Sequence, residues 1–232
     1  MVRGPQRLIV SLHIPKTGGT SFGAVMEQAW PGGVAYFYRP GNRLTHPLLR
    51  DRDRLGDADL LAELEATGIR VMHGHAPADW FRDAVPDPSR YWTWVRDPVE
   101  RVISAYYYLQ GRARRLATRE DQGNGEAPRD RVRGKTLEQF AKRRQHRNMQ
   151  TRALAGFALP DMGFVGITER FDESLAILGL PALENAGPKN VNKARPEIDP
   201  AIRRLIRRFN DEDIALYERA LDLHERRRAG LR

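Results

Sequence analysis

Apolar residues fall in short clusters along this chain, and their spacing changes from one cluster to the next. Leu8, Ile9, Val10, Leu12 and Ile14 form a nearly continuous run that ends in a polar loop; apolar positions then return at helical spacing through TSFGAVMEQAW until PGG at 31–33 stops them. A short continuous run bounded by turn residues reads as a buried strand, and the spacing after it as a helix. The stretch YFYRPGNRLTHPLL, punctuated by Pro and Gly, reads as a loop. A short helix is expected at about 57–67, a second strand in GIRVMHGH and a third in RYWTWV, which ends at Arg96. Asp97 is placed as N-cap and Pro98 as the first helical residue before VERVISAYYYLQ. Strands alternating with helices predict an α/β fold, a central parallel sheet flanked by helices.

The second half carries a different pattern. Residues 111–135, GRARRLATREDQGNGEAPRDRVRGK, lack apolar periodicity and read as a basic, mobile insertion. Helices then dominate, in TLEQFAKRRQ, NMQTRALAGF and DESLAILGL. Asp199-Pro200 repeats the N-cap and N1 pairing and opens two C-terminal helices, broken near Asn210-Asp211 and followed by a polar tail, ERRRAGLR. No internal repeat or linker interrupts the chain, so residues 1–232 are expected to form a single domain.

Composition narrows the function classes. At 232 residues with 41% hydrophobic content the chain can bury a sizeable core. No apolar run approaches the roughly 20 residues that span a bilayer, and the N-terminus lacks the apolar core of a secretory signal. With no cysteine there is no disulfide framework, thiolate metal site or cysteine nucleophile. The plain expectation is a soluble cytoplasmic protein. The net charge of +9 points to an anionic ligand or partner. Between 111 and 147 there are 12 Lys and Arg against 5 Asp and Glu, a local net of +7.

The loop HIPKTGGTSF joins the first strand to its helix and is suited to an anion. Glycines let backbone N–H groups converge, and the helix N-terminus adds partial positive charge. It is P-loop-like without matching the nucleotide-binding pattern G-x-x-x-x-G-K-[ST]. Lys16 precedes Gly18 and Gly19 instead of following them, and Thr20 and Ser21 stand where the helix begins. Arg96 lies at the carboxyl end of its strand, where open α/β sheets bind ligands, and Ser104 lies two turns into the next helix. An arginine fork suits a phosphate dianion, so Arg96 and Ser104 are candidates for a second phosphate. His73 and His75, two apart at the end of a strand, share a face and offer a general base. Glu100 and Asp79 are alternative bases.

Together, HIPKTGGTSF and VRDPVERVISAYY resemble the 5′-phosphosulfate loop and 3′-phosphate motif of the sulfotransferases that use 3′-phosphoadenosine 5′-phosphosulfate (PAPS). The likeness is to the carbohydrate, heparan-sulfate 2-O-type members. The order of the motifs, their separation of about 80 residues and the intervening HGH agree, as do NMQTRALAG, GITERFDESLAIL and DEDIALYERAL. The resemblance weakens over 31–60 and 111–135. It implies that Lys16, Thr17, Gly18, Gly19, Thr20 and Ser21 hold the 5′-phosphosulfate and that Arg96 and Ser104 hold the 3′-phosphate. It also implies that Lys193, in KNVNKARP, belongs to a loop closing on the nucleotide. His13 falls where relatives often place an arginine. His75 would take the acceptor hydroxyl's proton, with His73 orienting or supporting it. Lys16 would neutralise charge on the leaving 3′,5′-adenosine bisphosphate, with no metal required.

The resemblance does not fix the acceptor. Basic segments suit an anionic glycan, and the lack of an anchor favours a smaller or lipid-linked hydroxylated molecule. One rival is a P-loop kinase or NTPase, opposed by the lysine position and the missing Walker B aspartate. Another is a basic nucleic-acid-binding module, opposed by aromatics that cluster in RYWTWV and AYYY instead of interleaving with basic residues. A sulfotransferase fold without catalysis is a third, opposed by the presence of Lys16, His75, Arg96 and Ser104 together.

Overall fold

In the computed structural model, residues 7–38, 41–51, 54, 57–76, 78–120, 134–182 and 196–230 are described. Five short strands build one sheet: β1 (Ile9–Leu12), β2 (Val34–Phe37), β3 (Val71–Gly74), β4 (Tyr91–Val95) and β5 (Phe164–Ile167). Their order is β2-β3-β1-β4-β5, and every neighbouring pair is parallel. β1, the first to leave the chain, therefore lies at the centre with β3 on one side and β4 on the other.

Both faces are covered, which is why these strands read as continuous apolar runs. Even-numbered β1 residues Val10 and Leu12 join Leu60, Leu61 and Leu64 of α2 (Ala58–Ala66) and Leu216 and Ala220 of α8 (Asp211–Ala229). Ile9, on the other face, joins Phe22, Val25 and Met26 of α1 (Gly19–Ala29) and Leu175 of α6 (Phe171–Ile177). A third cluster joins α3 (Pro98–Glu120), α4 (Leu137–Ala141) and α7 (Pro200–Arg208) through Val102, Ile103, Phe140 and Ile206. Each Val, Leu, Ile, Phe or Met among these, fully buried, contributes about 1.5–3 kcal/mol. The short α5 (Met149–Ala153) packs against α8.

The capping readings hold: Asp97 Oδ1 accepts the Glu100 N–H at 2.9 Å and Asp199 Oδ1 that of Ala201 at 2.7 Å. Four expectations are corrected. The loop reading over 36–49 hides the end of β2, a four-residue edge strand whose aromatics run straight into Pro and Gly. β5 was not expected, because Gly163 and Gly166 disguise it. Gly166 is glycine for packing, since a Cβ there would come within 2.6 Å of the Trp94 ring. Residues 111–120 continue α3 instead of opening an insertion; Arg, Ala and Leu propagate an established helix without an apolar face. The rest of that stretch, 121–133, lies outside the described residues. The C-terminal segment ERRRA is likewise the last turns of α8, not a polar tail.

Among the described residues, no helix is long and apolar enough to cross a membrane.

Candidate active site

The carboxyl ends of β3, β1 and β4 lie side by side, and each delivers one element of the site: His75, the glycine loop and Arg96 in turn. The loop is built by two left-handed residues, Lys16 at φ 74° and Gly18 at φ 91°. Glycine takes that conformation freely, whereas lysine pays about 1–2 kcal/mol, which marks the turn as imposed. Left-handed residues ahead of a helix make the backbone concavity that receives anions. Gly18 occupies the N-cap position and has no side chain to cap with. The N–H groups of Gly19, Thr20 and Ser21, the first of α1, have no intrahelical acceptor. Thr17 is fully buried, and its hydroxyl donates to the Ile14 carbonyl at 2.9 Å, so that side chain locks the turn. Thr20 is exposed, and Ser21 is buried within α1. Thr168, just past β5, lies with its Oγ1 2.7 Å from the Thr17 carbonyl and 2.9 Å from that of Val95, tying the loop to β4.

Three histidines gather behind the loop. The Nε2 of His73 is 3.0 Å from the Gly19 carbonyl, which only accepts, so Nε2 carries the proton. Nδ1 then accepts from the Ser11 hydroxyl at 2.8 Å. Burial pushes His73 down to about 4. Both of its nitrogens are spent, and what it orients is the first turn of α1. The His13 ring lies between the other two, with centroids 5.1 Å from His73 and 4.3 Å from His75. Burial, then the neighbouring His73, His75 and Lys16, hold His13 well below the ordinary imidazole range. Only glycine fits at 19, since a Cβ there would sit 2.0 Å from the His13 ring. His75 is partly exposed, its ring 5.2 Å from that of Tyr38, and is less enclosed than His73.

Arg96 reaches back to the loop, its Nη1 donating to the Lys16 carbonyl at 3.3 Å. Its backbone is held by one side chain: Gln150 Oε1 accepts the Arg96 N–H at 2.8 Å and Gln150 Nε2 donates to the Arg96 carbonyl at 2.9 Å. Its Nε lies 3.6 Å from Glu169 Oε1. Burial raises the Glu169 carboxyl, against the opposing pull of Tyr217 and Arg96.

On α3, Ser104 is 3% exposed, one turn after Arg101 and one turn before Tyr108. The Lys16 ammonium lies 4.2 Å from the centroid of the Tyr108 ring, so α3 meets the loop at Tyr108. Arg101 is fully buried, donating to the His146 carbonyl at 2.8 Å, and burial lowers its guanidinium to about 10 against the pull of Asp213. It stays charged at neutral pH.

The structure thus gathers Lys16, Gly18, Gly19, His13, His73, His75 and Arg96 in one region, with Ser104 buried on α3, while Glu100 instead pairs with Arg203 of α7 at 2.8 Å. Lys193 and the side chain of Asp79 lie outside the described residues. Gln150, Glu169, Arg101 and Tyr108 were not expected. Gln150 and Glu169 sit inside segments with a recognisable pattern, but only the fold shows what they touch. Tyr108, in a run that reads as core helix, is 47% exposed. Among the described residues no three His, Asp or Glu side chains are grouped to hold a metal ion.

Chemically, the site offers N–H groups without an intrahelical acceptor, two cations and an imidazole around the ends of three adjacent strands. A search of curated proteins finds no match. A family model described as the sulfotransferase family matches residues 1–218, nearly the whole chain. The chain belongs to the sulfotransferase family.

Proposed function

We propose that this sulfotransferase takes PAPS as donor and passes its sulfuryl group to a hydroxyl of a carbohydrate or glycan acceptor. One observation carries the reading above the rest. Arg96, at the end of β4, meets the backbone of the glycine loop after β1, with 3.3 Å between Nη1 and the Lys16 carbonyl. Two anion-binding elements share one wall, as a donor with phosphate at both its 5′ and 3′ positions requires.

The residues present suit such a donor. The N–H groups opening α1, with Lys16, would hold the 5′-phosphosulfate, and Arg96 with Ser104 the 3′-phosphate. The donor, when bound, supplies an electrophilic sulfur and a bisphosphate leaving group. His75 takes the acceptor hydroxyl's proton as its oxygen bonds to sulfur and the bond to the bisphosphate breaks. Lys16 offsets charge growing on the departing oxygen. His73 holds the loop carbonyl in place, and His13 stays neutral beside the base. His75 is favoured over Glu100, whose carboxylate is engaged by Arg203.

The reading is tested by following 3′,5′-adenosine bisphosphate release from PAPS across a panel of neutral and anionic sugars. His75→Ala is expected to lower turnover by about 10²–10⁴-fold with donor affinity retained. Undiminished turnover in that variant would remove His75 as the base, and no release with any hydroxylated acceptor would remove the activity.

A further inference from the structure

Asp213 and Tyr217 stand one turn apart on α8, at i and i+4 and so on one face. Each ends on a residue that holds Arg96. Asp213 is fully buried; its Oδ2 accepts the Gln150 N–H at 3.1 Å and its Oδ1 that of Thr151 at 2.8 Å. It thereby caps α5 from another helix, a service that Asn148, left-handed at φ 45° in the N-cap position, does not perform with its own side chain. Asn210 Oδ1 accepts the Asn148 N–H at 3.0 Å and Asn148 Oδ1 accepts the Asp213 N–H at 3.3 Å, pinning α5 to α8 in one register. Held in this way, Gln150 grips both backbone polar groups of Arg96. In the second arm, the Tyr217 hydroxyl donates to Glu169 Oε2 at 3.0 Å. The other oxygen of that carboxylate accepts the Asp97 N–H at 3.2 Å and faces Arg96 Nε at 3.6 Å.

We propose that α8 is the positioning strut of the 3′-phosphate site, Asp213 acting through Gln150 on the Arg96 backbone and Tyr217 acting through Glu169 on its guanidinium. The inference rests on the reading of Arg96 as the 3′-phosphate ligand. A free arginine loses rotamer freedom when it captures an anion, and restraint in advance lowers that cost. The two arms restrain Arg96 at opposite ends, main chain and guanidinium. Leu216 and Ala220 already pack α8 onto the core. Docking of α8 therefore does not rest on Asp213 and Tyr217 alone. Asp213, Gln150, Glu169 and Tyr217 are positioning residues, whose effect belongs to ligands that carry a 3′-phosphate.

The test compares calorimetric affinities of the full chain for 3′,5′-adenosine bisphosphate and for 5′-AMP. The variants are Tyr217→Phe, Gln150→Met and, as a control on α8, Arg228→Ala, which removes the ion pairs with Glu173 and with Glu225. Tyr217→Phe is expected to weaken bisphosphate binding about threefold to tenfold, Gln150→Met at least as much, with 5′-AMP binding unchanged within about twofold. Arg228→Ala is expected to keep both affinities. In a Glu169→Ala background, Tyr217→Phe is expected to have no further effect, because the arm is already cut. Equal losses for both ligands, or none, would overturn the strut. Should Gln150→Met fail to fold, Tyr217→Phe, which removes one oxygen from a half-buried ring, still decides. A wild type with no preference for the bisphosphate would instead remove the reading of Arg96 itself, and the strut with it.

Discussion

His73 spends both ring nitrogens on the fold, and its protonation is correspondingly costly. An unfolded histidine takes up its proton near 6.5, whereas buried His73 resists until about 4. Between those values the unfolded chain binds more protons, so stability falls as pH is lowered through the window, by about 3 kcal/mol for this residue alone. His13, also depressed by burial, adds to the loss with the same sign. Melting temperatures from pH 7 to pH 4.5 should therefore drop steadily. His73→Asn should melt lower at pH 7 but with a flatter pH dependence; an unchanged slope would contradict this account. Gly19→Ala sets its new methyl against the His13 ring, where a Cβ has only 2.0 Å. Urea titration should show a loss of about 1–3 kcal/mol, with His13→Ala in the same chain restoring most of it. At this scale the sequence speaks clearly where chemistry is local. Lys16, the glycines and Arg96 stand out because a glycine loop before a helix and an arginine at a strand end are patterns carried by neighbouring residues. The burial of His73 and the grip of Gln150 on Arg96 depend on partners far along the chain, and no spacing announces them.

Elements were legible in proportion to their punctuation. α1, α2, α3, α7 and α8 begin where glycine, aspartate or proline signals predict, because a helix start is a local hydrogen-bonding problem. β5 escaped because the residue that makes it fit against Trp94, Gly166, is one that strands usually avoid. The end of α3 escaped for the opposite reason: beyond Gln110 the helix continues on propensity, so apolar spacing is silent there. α4 illustrates how much a short helix owes to its cap. Thr136 Oγ1 accepts the Gln139 N–H at 3.2 Å and Gln139 Oε1 accepts that of Thr136 at 3.1 Å, a reciprocal capping box. Thr136→Ala should cost about 1 kcal/mol by chemical denaturation, and a neutral result would mean that packing on α3 and α7 alone holds the helix.

For the molecule as a whole, alternation of strands and helices was enough to predict a parallel sheet, but not its order. That order puts β1 between β3 and β4 and so assembles a site from three segments distant in sequence. The excess positive charge belongs to the same scale. Ile202, Leu205 and Ile206 turn α7 inward, leaving Arg204, Arg207 and Arg208 to line an open groove of about 350 Å³ with Asp211 and Ile214. With an anionic glycan as acceptor, kcat/KM should fall several-fold as salt rises from about 50 to about 300 mM, while a neutral sugar should respond weakly. Equal salt responses would argue against electrostatic steering of the acceptor. The central claim, a donor recognised by both of its phosphates, is tested most directly by calorimetric binding of 3′,5′-adenosine bisphosphate, 5′-AMP and ATP to the wild type and to Arg96→Ala. The account predicts a marked preference for the bisphosphate that collapses in the variant. Equal binding of the three nucleotides, or a preference for ATP with magnesium, would contradict it.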